Sequence, residues 1–83
     1  MFKWTNKQGV ESDAGIVFQR VDRFHYEYRD GDINLRIVVE ADAKKENVYV
    51  SDVIAQMADA DRKLVSENVI AALKFMGDKF QIH

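Results

Sequence analysis

Cysteine is absent from the 83-residue chain. That removes disulfides, thiolate nucleophiles and cysteine-ligated zinc together. A small domain that holds without disulfides needs no oxidising compartment, so the expected setting is the cytosol. Proline is absent too, and no repeat or low-complexity tract divides the chain, so residues 1–83 read as a single domain. The four glycines stand isolated at 9, 15, 31 and 77, which leaves no glycine-rich phosphate loop. Neither sign of charge dominates: 12 basic residues face 14 acidic ones, and residues 1–41 and 42–83 each carry 6 and 7. Generic attraction to nucleic acid or to an anionic membrane is therefore not expected. No apolar run approaches the length of a membrane span, and no charged-then-apolar leader pattern opens the chain. Met1 leads directly into ordinary sequence and is expected to begin the whole chain.

What is present is a folded-domain composition, 47% hydrophobic. A chain this short buries only about 60–65% of the surface it exposes when unfolded, so its core is thin. The strongest pattern runs from Arg23 to Val39. Phe24, Tyr26 and Tyr28 alternate with Arg23, His25, Glu27 and Arg29, and Ile33, Leu35, Ile37 and Val39 alternate with Asn34, Arg36, Val38 and Glu40. Asp30-Gly31 between them suits a two-residue type I′ turn, in which both central residues have φ > 0. Folding there pairs Tyr28 with Ile33, Tyr26 with Leu35 and Phe24 with Ile37, all on one apolar face. Gly15–Gln19 reads as a preceding strand, and a loop of Arg20, Val21 and Asp22, with Asp22 able to take the left-handed position, would pair Phe18 with Phe24 and Ile16 with Tyr26.

Residues 1–14 read as a short strand or arm followed by a loop. Asp42–Asn47 is a polar turn, and Asn47–Ser51 is a fourth strand. Ser51–Ala58 fits a helical turn at Ile54 and Met57, yet Val53 and Ile54 are β-branched, so it stays open between helix and strand. Arg62–Met76 carries a helical stripe: Val65, Val69, Leu73 and Met76. Asp59 or Asp61 can cap its start, and Gly77 sits where a helix-ending glycine belongs. Lys79–His83 alternates as a terminal strand that could return to a sheet edge, with His83 frayed at the end. The expected fold class is α+β: an antiparallel β-meander of four to five strands, with one main helix in the C-terminal half packed on its Phe18, Phe24, Tyr26, Leu35 and Ile37 face.

Few residues suggest chemistry. His25 and Glu27 share a strand face opposite Arg36 and Asn34, which could supply acid, base and anion clamp, but a solvated face with cross-strand ion pairs explains them as well. The two histidines have no metal-binding spacing, Asp52, Asp59 and Asp61 do not follow a calcium-loop pattern, and Ser12, Ser51 and Ser66 lie in no nucleophile motif. No cofactor is expected, and the chain does not read as an enzyme. An RNA-binding sheet would stack bases on Phe24, Tyr26 and Tyr28 beside Arg23, Arg29 and Arg36. Those aromatics, however, share a face with aliphatic partners that the helix must cover. What remains is contact with another protein. The candidate surfaces are the open sheet face, with Arg23, His25, Arg29, Arg36 and Glu40, and the acidic stretch Asp52, Asp59 and Asp61. Trp4, Tyr49 and Phe2 are possible anchors.

Asn68, Ile70, Ala72, Leu73, Phe75 and Gly77, followed by Phe80-Gln81-Ile82, are similar to the C-terminus of a family of small bacterial immunity proteins from polymorphic-toxin and contact-dependent inhibition systems. In that family a helix ends on this pattern and runs into a terminal strand, and the meander from Gly15 to Glu40 fits the same layout. The resemblance implies a cytosolic, non-enzymatic protein that neutralises a cognate toxin domain by contact. Toxin nucleases are usually basic around the substrate cleft, so the acidic stretch is the first expectation for the interface. The alternatives are a phage-encoded inhibitor of a host nuclease and a small RNA-binding module.

Overall fold

The computed structural model describes all 83 residues. Its elements are β1 (Phe2–Asn6), β2 (Gly9–Ser12), β3 (Val17–Asp22), β4 (His25–Asp30), β5 (Ile33–Ala41), β6 (Glu46–Tyr49), α1 (Ser51–Ile54), α2 (Asp59–Met76) and β7 (Phe80–Ile82). The strands form one seven-stranded sheet in sequence order. Six run as an antiparallel meander, and β7 joins β6 in parallel, with Glu46 beside Phe80 and Val48 beside Ile82. The α+β class and the single main helix agree with the sequence; the strand count exceeds the expected four to five.

The extra strands come from residues 1–14. Asn6 accepts the Gln8 N–H on its side-chain oxygen at 2.8 Å. This side-chain turn folds β1 back on β2, with Phe2 opposite Ser12 and Trp4 opposite Val10. The segment's polar residues hide it as a strand pair in the sequence.

The β4–β5 hairpin keeps its expected face but not its expected register. Tyr26 pairs with Ile37 and Tyr28 with Leu35, so the loop residues are Gly31 and Asp32. Gly31 has φ +59° and no non-glycine residue has positive φ, which is the pattern of a type II′ rather than a type I′ turn. A two-residue displacement preserves the alternation; only an odd slip would turn the apolar set outward.

The β3–β4 turn departs further. Phe18 pairs with Tyr28 and Arg20 with Tyr26, not Phe18 with Phe24, and a bulge precedes the Asp22–His25 pair. Asp22 is not left-handed. Its carboxylate instead accepts the Phe24 N–H at 2.8 Å, which closes the turn on Arg23 and Phe24. Phe24, expected in the core, is consequently 55% exposed.

The inner face of the sheet supplies Val10, Phe18, Tyr26, Tyr28, Ile37, Val39 and Val48 to the core. Helix α2 covers it with Val65, Val69, Ala72 and Leu73, all fully buried. Phe18 and Tyr26 stack with ring centroids 4.6 Å apart, and Asn68 reaches from α2 to the Tyr28 hydroxyl at 3.1 Å. The helix starts at Asp59 with Ala58 as its cap, so Asp59 and Asp61 lie in the first turn and complement the dipole without capping it. Gly77, at φ +83°, ends the helix as expected, donating its N–H to the Leu73 and Lys74 carbonyls. No helix is long and apolar enough to cross a membrane.

Candidate functional site

Because the main helix covers one face only, alternate strand residues form a second, outward face. Its rows follow from the pairing: Lys3, Glu11, Val17, Arg29 and Asn34; Gln19, Glu27 and Arg36; His25, Val38 and Tyr49; Glu40, Asn47 and Gln81. Four of the candidate residues, His25, Arg29, Arg36 and Glu40, therefore share this face. Arg23 does not: it lies in the β3–β4 turn, where its carbonyl accepts an Arg20 N–H at 2.6 Å.

The proposed acid–base cluster is not assembled. In the observed register Glu27 lies opposite Arg36 and His25 opposite Val38. Glu27 is held instead by Arg29 Nε at 3.1 Å and by the Gln19 amide at 3.4 Å. His25 Nδ1 sits 2.9 Å from Asp22. That contact, with the Phe24 N–H, holds the Asp22 carboxyl below its ordinary range. Arg36 and Glu40 are exposed and in no ion pair.

An apolar strip runs from the β3–β4 turn onto this charged face. Phe24 and Val38 (40% exposed) line a shallow depression with His25 and Glu40. Tyr49 continues the strip, its ring stacked on His83 at 4.9 Å. His83 is not frayed: its N–H bonds to Val48, and its oxygen accepts the N–H groups of Val50 and Ser51. The second candidate surface is separate. Asp52 lies on α1, Asp59 and Asp61 open α2, all three are exposed, and Asp59 is paired with Arg62.

A polar cluster that sequence reasoning missed lies at the inner end of the sheet. Arg20, read from sequence as a loop residue, points inward from β3 and pairs with Glu46 of β6. Tyr26 donates to Glu46 at 2.8 Å, and the Arg20 guanidinium stands 5.2 Å from the Tyr26 ring centre. Burial, then Glu46, pushes the Tyr26 hydroxyl far above its usual range. Asp78 lines the same open groove, of about 680 Å³, with Trp4, Lys7 and Met76. Asp78 is exposed, and its carboxyl is raised by partial desolvation in the groove and by the charge of Glu46, against the opposing pull of Arg20 and the Tyr26 hydroxyl. Arg20 also donates to the Asp22 and Arg23 carbonyls, so it locks the β3–β4 turn to β6. The signal in the sequence was its spacing from Ile16 and Phe18, which puts it on the inward side.

Of the three aromatics that an RNA-binding reading would use for stacking, Tyr26 and Tyr28 are inside, at 1% and 0% exposed, and Phe24 alone is at the surface. No family model, curated protein or solved structure matches this chain.

Proposed function

We propose that the chain is a non-enzymatic protein-binding inhibitor, an immunity protein that neutralises a cognate toxin domain by direct contact from the cytosol. The observation that carries this reading is the outward sheet face: exposed Val38 and half-buried Tyr49, with exposed Phe24 at the adjoining β3–β4 turn, set among His25, Arg29, Arg36 and Glu40. Binding interfaces join a few apolar or aromatic anchors to a charged rim, and unpaired rim charges choose the partner by complementarity. Arg36 and Glu40 suit that rim because no internal partner competes for them.

The outward face is preferred to the acidic stretch on two grounds. It is continuous across paired strands, which fixes its residues relative to one another, and it supplies anchors. Asp52, Asp59 and Asp61 supply charge alone, and Asp59 already has Arg62.

The test is co-expression with the product of the neighbouring gene. That product should arrest growth alone, and this chain should relieve the arrest. Val38→Glu with Arg36→Glu should weaken the complex by at least about 2 kcal/mol. Asp52→Lys with Asp59→Lys should leave it intact. Relief lost only with the acidic pair would move the interface to that stretch; a neighbour with no toxicity and no complex would remove the reading.

A further inference from the structure

The sheet ends at β1, which has β2 on one side and no strand on the other. Met1 accepts the Asp13 N–H through its carbonyl. In the register that places Lys3 opposite Glu11, this makes Met1 and Lys3 the residues whose backbone bonds to β2. The β2–β3 bonds agree: Arg20 N–H to Gln8 and Ser12 N–H to Ile16 commit the even residues of β2 to β3, which leaves Glu11 and Asp13 for β1. Phe2 and Trp4 must therefore direct their N–H and C=O groups out of the sheet. A bulge follows between Trp4 and Asn6 and ends the free ladder.

The side chains around this edge are specific. On the inner side, Phe2 and Trp4 lie 6.3 and 6.0 Å from Phe75 of α2, ring centre to ring centre. Trp4 remains 49% and Phe75 38% exposed. On the outer side stands Lys3, and Lys7 follows in the turn; both are exposed and neither is in an ion pair. The chain carries no acidic residue before Glu11, which lies opposite Lys3 on β2, away from the free edge, and forms no ion pair with it.

We infer that the β1 edge takes an extended, acidic segment of another protein as an added antiparallel strand. Two apolar residues of that segment exchange backbone hydrogen bonds with Phe2 and Trp4 and rest against Trp4 and Phe75. The acidic residue between them faces Lys3. This is strand addition, in which the backbone ladder gives affinity and alternate side chains give specificity. A second copy of this chain fits worse. The symmetric register that uses both free residues sets Phe2 against Trp4 and places Lys3 directly against its own copy, a like-charge pair at close range. This surface lies at the sheet edge, apart from the Phe24–Val38–Tyr49 strip, and does not depend on the toxin reading.

Trp4 is the sole tryptophan, so its fluorescence reports the edge directly. The probe is the blocked peptide acetyl-Thr-Val-Glu-Val-Glu-Val-Thr-amide, compared with a version carrying lysine for glutamate and a version N-methylated at the valines. The acidic peptide should give a saturable change, the lysine version should bind at least about tenfold more weakly, and N-methylation should abolish binding. Lys3→Glu with Lys7→Glu, at exposed positions, should reverse the charge preference. The inference is overturned by no saturable change up to about 1 mM peptide, by equal binding of the acidic and lysine versions, or by indifference to N-methylation. Sedimentation showing a dimer that Trp4→Lys dissolves would assign the edge to a second copy instead.

Discussion

Arg20, Tyr26 and Glu46 show how an inward cation is accommodated. The guanidinium is mostly buried, and it is tolerable there because Glu46 and two backbone carbonyls occupy its donors. Glu46→Ala would leave that cation without its carboxylate, and urea unfolding should show a loss of about 1–3 kcal/mol. Asp78 should behave oppositely. Its carboxyl is raised in the folded state, so the native protein holds that proton more tightly than the unfolded chain does. Stability is then lost as pH rises from the unfolded value through the folded one, and the cost persists above both. Asp78→Asn should therefore raise the melting temperature at pH 7, and the gain should vanish below the carboxylate range. Asp22 and Asp42 are lowered, by His25 with the Phe24 N–H and by the Lys44 and Lys45 N–H groups. Their contribution is complete above the unfolded value and is lost as pH falls through the folded one. A melting curve for Asp78→Asn that tracks wild type at every pH would contradict the assignment.

At the scale of elements, what the sequence revealed depended on how many registers its pattern allows. The helix was legible from Val65, Val69 and Leu73, and its end from Gly77. The β4–β5 pair was legible as a face, because Tyr26, Tyr28, Leu35 and Ile37 alternate. Its register was not, since Tyr28 can oppose Ile33 or Leu35 without moving any side chain to the other side. Phe24 continued the same alternation, and only the Asp22 side-chain turn removed it to the surface, a local bond that periodicity does not encode. The outward face was read correctly for His25, Arg29, Arg36 and Glu40; Arg23 fell with the misplaced turn. The apolar strip and the Arg20 cluster were missed because both depend on that turn. Leu73→Ala, at a fully buried helix position, should cost about 2–4 kcal/mol. Gly77→Ala should cost about 1 kcal/mol, since alanine resists φ +83° while nothing stands within 4 Å of the added carbon. Chemical denaturation measures both, and a larger loss at Gly77 than at Leu73 would contradict the burial account.

For the whole molecule, one main helix, with the short α1, over a seven-stranded sheet divides the surface into a covered side that holds the fold and an open side. The covered side takes in Tyr26 and Tyr28; the open side keeps Val38 and Tyr49 beside Arg36 and Glu40, with Phe24 exposed at the adjoining turn. Substitutions on the open side should thus separate binding from folding. The most direct measurement is calorimetric titration of the neighbouring gene's product with wild-type chain and with Val38→Glu/Arg36→Glu, alongside the melting temperature of each. Wild type should form a saturable complex, the variant should bind at least about thirtyfold more weakly, and the melting temperatures should lie within a few degrees of one another. Equal affinity of the two proteins, with both folded, would contradict this separation.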